Sequence, residues 1–162
     1  MTEDNKKLCG DMVGIANTYK NSSEVLNIGN LIIKLLAERQ NVQVNGKPLE
    51  FDHVIISRVI LLAIDIEISL KAISLVDNDN PADRQHDWTK LFAILSSEHQ
   101  REIISKMSNE FQADFPRLLD INKDAFVRWR YAYEHRNLTC DWTFINELAN
   151  VLADIAMNLE NN

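Results

Sequence analysis

The sequence predicts an all-α protein, and three observations carry that prediction. Apolar residues recur at intervals of three and four almost throughout, which is the helical period, while strand-like alternation appears only briefly at Val42 and Val44. Glycine and proline are scarce, four and three in 162 residues, so few positions interrupt a helix. No low-complexity tract, repeat or Ser/Gly linker divides the chain, so the expected organisation is one domain over 1–162, an up-and-down bundle of four to five main helices. A helical extension is expected at about 1–20.

That extension is a weaker helix around Asp11 to Tyr19. The first strongly patterned helix opens after Asn21, a cap spaced three residues from Glu24, and its stripe is Leu26, Leu31, Ile32, Leu35 and Leu36. Between Gln40 and Leu49, the run Asn45-Gly46-Lys47-Pro48 supplies turn chemistry for a loop or small hairpin. Phe51 to about Val76 is the dominant helix, roughly 39 Å long, and the expected central strut. Asp77 to Gln85 ends it, because Asn and Asp compete for backbone hydrogen bonds and Pro81 disfavours helix at Asn80.

Asp87 then caps a short helix containing Leu91, Phe92 and Leu95, and Ser97 with Gln100 has the spacing of a capping box for Glu98 to Met107. After Pro116, Asn122 is the expected cap of a helix from Lys123 to about Glu134. A polar turn through Asn137 and Thr139 leads into Asp141 to Leu159, which buries Phe144, Leu148, Leu152 and Ile155.

Composition removes several function classes. The longest apolar stretch, Val54 to Val76, carries Arg58, Asp65, Glu67 and Lys71, which argues against a membrane span. Met1 to Leu8 does not resemble an export signal, and the expected location is the cytoplasm. Cys9 and Cys140 read as small apolar residues in a reducing compartment. A net charge of -7 argues against broad electrostatic binding to nucleic acid but leaves room for a local basic site. Neither a metal nor a cofactor is expected, since the cysteines and histidines never reach ligand spacing and no glycine loop matches a nucleotide motif. His53 and His99 read as surface residues, and His86 as a loop residue packed beside Trp88.

Three pieces in order carry a resemblance. They are Glu67-Ile-Ser-Leu-Lys-Ala72 on the long apolar helix, His86-Asp87-Trp88 with Leu91, Phe92 and Leu95, and Trp129-Arg-Tyr-Ala-Tyr-Glu-His135. Together they resemble the HEPN family of small helical bundles: its Glu-x-x-Leu-Lys-Ala segment, its His-Asp-Leu start of a following helix, and its pattern of Arg, four to six residues, then His.

The resemblance implies a metal-independent endoribonuclease that cleaves single-stranded RNA to a 2′,3′-cyclic phosphate at the interface of a homodimer, as toxins and phage-defence effectors do, with an antitoxin or other protein as a further partner. It makes His135 the acid/base group and Arg130 the phosphate-binding group. Arg128 fits the longest permitted spacing, and Glu67 and Glu134 are supporting candidates. The chemistry is reasonable: a neutral imidazole accepts a 2′-hydroxyl proton and a guanidinium stabilises charge gathering on phosphorus. On an unbroken helix Arg130 and His135 lie about 140° apart, so reaching one phosphate requires a bend or a second chain.

Each of these residues also has a plain structural reading. Glu67 and Lys71 are spaced as a buried helix pair, with contact from Glu67 to the motif arginine as the functional alternative. Arg130 and Glu134 can pair on the helix surface, His135 can cap the helix, and Phe126, Trp129 and Tyr133 fall on one face as core residues. Tyr131 replaces a usually polar family position, and Arg136-Asn137 follows His135 where an aromatic is common. A non-catalytic module for dimerising or for binding a partner or nucleotide is therefore the alternative.

Overall fold

The computed structural model describes residues 2–40, 43–44, 47–48, 52–79, 82, 84–130 and 140–159, with backbone alone at 26–40, 43–44, 47–48, 52–56 and 130. The fold is an all-α bundle. Among the described residues its helices are α1 (Glu3–Gln40), α2 (Asp52–Asn78), α3 (Trp88–Ala93), α4 (Ser97–Lys106), α5 (Asn109–Gln112), α6 (Phe115–Asn122), α7 (Ala125–Arg130) and α8 (Trp142–Leu159). A short hairpin joins α1 to α2, strands β1 (Gln43–Val44) and β2 (Lys47–Pro48) pairing antiparallel with Val44 opposite Lys47. No described helix is long and apolar enough to cross a membrane.

α2 is the strut because it is apolar nearly all round. Val59, Leu62, Ala63, Ile66, Leu70 and Ile73 enter the main core, while Ala72 and Leu75 enter a second cluster with Cys9 and Val13 of α1 and Ala156 of α8. A helix without a polar face has to be covered on several sides. α1 and α2 run antiparallel: Asn5 Nδ2 donates to Asp79 Oδ1 at 3.0 Å, and Cys9 Sγ lies 3.9 Å from the Ala72 carbonyl. The opposite side of the core is aromatic, with Phe144 of α8 edge-on to both Phe111 and Phe115 at 5.7 Å between centroids. Such pairs add about 1 kcal/mol each beyond their burial.

Several boundaries differ from expectation. The weak helix at Asp11–Tyr19 and the helix opening after Asn21 are one 38-residue helix, about 57 Å long. Asn21 starts nothing there: the hydroxyls of Thr18 and Ser22 donate to the carbonyls of Gly14 and Thr18, and Ser23 is buried among the small residues that line α1. The cap of α4 is Ser96 rather than Ser97, its Oγ accepting from the His99 amide at 3.2 Å. Asn122 does not cap α7. It ends α6, buried, with Nδ2 donating to the Leu118 carbonyl at 2.8 Å and Oδ1 accepting from the Asp141 amide at 3.2 Å, which fixes the start of α8.

α2 ends where Asp77 to Gln85 was expected to end it. Asp79 turns left-handed at φ 52°, and Ala82 does so at φ 50°. Asp87 caps α3 as expected, accepting from the amides of Thr89 and Lys90 at 2.9 and 3.4 Å.

Candidate active site

The most distinctive polar cluster joins α2 to the start of α3. Glu67 is 7% exposed, and its Oε1 accepts from Lys71 Nζ at 2.9 Å, one helical turn away. The same oxygen lies 2.8 Å from His86 Nδ1, across 19 residues of sequence. Facing a carboxylate, Nδ1 is the donor, which leaves Nε2 as the ring nitrogen open to other chemistry. The His86 side chain is 51% exposed, and Nε2 has no hydrogen-bond partner among the described residues. Glu67 Oε2 is buried and likewise without a partner among them.

Local sequence explains why His86 stands there. Gln85 Oε1 accepts from the amides of His86 and Asp87 at 3.1 and 3.0 Å, closing a tight turn ahead of the Asp87 cap. Trp88 is fully buried and anchors α3, while its amide donates to the Lys123 carbonyl at 3.3 Å. α3 is thereby tied to the α6–α7 turn, and the His86 ring comes to rest 6.5 Å from that of Phe126 on α7. Position 130 lies one helical turn beyond Phe126.

The site residues read from sequence are therefore placed unevenly. Glu67 forms the expected pair with Lys71, and His86 joins it, with its ring 6.5 Å from that of Phe126. Arg128 is exposed on α7, and Arg130 is its last residue. Glu134 and His135 lie outside the described residues, as do Tyr131 and Tyr133. Phe126 and Trp129 pack against the core as expected. Sequence reasoning missed the pairing of His86 with Glu67, for which no periodicity signals across a loop. It also missed His99, whose Nδ1 lies 2.8 Å from Asp77 Oδ1 with a side chain only 17% exposed. Asp77 Oδ2 accepts from the Ser96 amide at 2.7 Å, so this second acid–histidine pair clamps α4 to the end of α2.

A different electrostatic situation holds two residues before Glu67. Asp65 is fully buried, and burial pushes its carboxyl up to about 7, against the opposing pull of Lys20 and the Ser69 hydroxyl. Its Oδ2 has no hydrogen-bond partner among the described residues. No three of His, Cys, Asp and Glu gather to hold a metal ion among those residues.

Fold and site together define a helical bundle with a carboxylate–histidine–lysine cluster at the junction of α2, α3 and α7. No family model matches the chain, and no curated protein or solved structure matches it either.

Proposed function

We propose that the chain is a metal-independent endoribonuclease of the HEPN type, a homodimer that cleaves single-stranded RNA to 2′,3′-cyclic phosphate ends, with Arg130 and His135 as its reacting pair. One observation supports this reading: the first two segments of the resemblance, far apart in sequence, meet at one carboxylate. Glu67 of the first holds His86 of the second at 2.8 Å, and His86 lies 6.5 Å from Phe126, one turn before the third. The buried Oε2 of Glu67, without a partner among the described residues, is the acceptor a motif guanidinium would take, fixing its orientation for a phosphate.

In this mechanism His135 accepts the 2′-hydroxyl proton and Arg130 stabilises the charge developing on the phosphoryl oxygens, the two coming from facing chains. Cytoplasmic RNA would be the substrate, and a toxin or defence role with a neutralising protein partner follows from the same resemblance. Purified protein should cut single-stranded RNA in EDTA and leave cyclic phosphate ends. His135→Ala and Arg130→Ala should each slow cleavage by about 10²- to 10⁴-fold. Inactive wild-type protein, or variants that cut as fast, would refute the proposal.

A second reading rests on α1, where Leu8, Ile15 and Val25 are 40%, 48% and 68% exposed. Apolar side chains in that position suit a non-catalytic dimerising or partner-binding module. Sedimentation that reports a dimer disrupted by Ile15→Glu, in a protein without RNA cleavage, would favour it.

A further inference from the structure

Independently of the ribonuclease reading, we infer that the seam between α1 and α2 at Asp65 is a proton-operated joint, in which residues 16–25 of α1 loosen from α2 as the carboxyl gives up its proton. The two ends of this contact are built differently. Near its N-terminus α1 is tied down: Asn5 donates to Asp79, and Cys9 and Val13 enter an apolar cluster with Ala72, Leu75 and Ala156. Further along, the buried residues are Ala16 and Ser23, small side chains on either side of Lys20. Ser23 Oγ is buried without a partner among the described residues, and so is Asp65 Oδ2 on α2. A carboxylate can accept about four hydrogen bonds, whereas Asp65 accepts a long one of 3.4 Å from the Ser69 hydroxyl.

The charged groups around Asp65 give it little else. From α1, Lys20 acts on it through its field and not through a hydrogen bond. On α2, Glu67 is engaged with Lys71 and His86, and Arg58 lies over the Trp142 ring at 4.3 Å. The buried face of α8 is apolar, and Arg128 of α7 is exposed. Charging a carboxyl so enclosed calls for water, and water reaches it only where a covering helix gives way. α1 is that helix, because its contact at this level is made of small side chains and polar atoms left without partners. In the closed seam the carboxyl keeps its proton up to about pH 7, and opening returns it to the ordinary aspartate range near about 4. The opened fraction therefore rises by about tenfold per pH unit between those values and levels off above, where the closed form loses its proton too.

A buried thiol reports the opening directly. Ser23→Cys in a Cys140→Ser background puts one thiol in the joint and leaves Cys9, buried at the tied end of the same helix, as a control for whole-molecule unfolding. Maleimide labelling would be located by mass spectrometry and divided by the rate of free cysteine at the same pH. The introduced thiol should label about tenfold faster per pH unit between about pH 5 and about pH 7, then level off, while Cys9 stays slow throughout. Adding Asp65→Asn should make the response flat. Adding Lys20→Met instead removes the pull that favours the charged form, so the rise should continue to higher pH; this variant tests the joint even if Asp65→Asn fails to fold. A flat response in the parent, a rise that survives Asp65→Asn, a levelling-off unmoved by Lys20→Met, or Cys9 labelling in step with the introduced thiol would each overturn the inference.

Discussion

Asp65 and Glu67 are both buried in the same helix, yet they live under opposite conditions. Two residues on a helix are about 200° apart, so the carboxylates leave α2 on different sides. Glu67 points where α3 arrives, and there Lys71 and His86 both reach its Oε1. Asp65 senses Lys20 of α1 and, one turn along α2, accepts a long hydrogen bond of 3.4 Å from the Ser69 hydroxyl. One carboxylate has a lysine and an imidazole within hydrogen-bond reach, and at the other burial outweighs what Lys20 and Ser69 supply. The comparison teaches that helix burial alone does not decide a charge's fate; the partners supplied by the covering elements do.

The sharpest way to break the comparison is to remove the charge at Asp65. Its folded carboxyl, raised to about 7 from the ordinary 3.8, gives a stability contribution that is whole below about pH 4 and is lost as pH rises to about 7. Across that window the loss is on the order of 4 kcal/mol at about 1.4 kcal/mol per pH unit. Asp65→Asn abolishes the titration. Thermal melts should show the variant more stable than wild type by about 10 °C at pH 8, with a much smaller gain at pH 5. An equal change at both values would show that Asp65 does not titrate in this range.

Glu67 should respond in the opposite direction. Glu67→Ala takes the buried carboxylate from Lys71 and His86 together, and urea unfolding should report a loss of about 3 kcal/mol at neutral pH. The double variant Glu67→Leu/Lys71→Met should recover most of that, since apolar residues of similar volume can replace a buried pair. Failure to recover would mean that the carboxylate serves chiefly to hold His86.

Much of this architecture could be read from the residues, and the exceptions have physical causes. α2 and α8 follow from their apolar period, and the pair of Glu67 with Lys71 follows from a spacing of four, because those signals are local. The continuity of α1 was hidden by Asn21, which reads as a cap; the hydroxyls beside it instead satisfy themselves on carbonyls one turn back, as Thr18 and Ser22 do. α5 and α6, of 4 and 8 residues, are too short to display a period. Asn122 looked like the start of a helix because the amide that uses its oxygen, at Asp141, is 19 residues away. The candidate site shows the same limit: Glu67 with Lys71 was legible, whereas Glu67 with His86 required the turn at Gln85 and the anchoring of Trp88.

The smallest effect tests whether His86 owes its position to the turn or to Glu67. Burial pushes the Asp87 carboxyl up, but hydrogen bonds from the Thr89 hydroxyl and from the Lys90 and Thr89 amides outweigh it and hold it below the usual carboxylate range. The cap's stabilisation is therefore present above the ordinary aspartate range and is lost as pH falls through the lowered value. Asp87→Ala should cost about 1 kcal/mol at neutral pH, measured by urea unfolding, with the difference shrinking in acid. If the turn positions the imidazole, the His86 ring resonances should also move in this variant, although Asp87 does not touch the ring. Unchanged resonances would assign the placement of His86 to Glu67 alone.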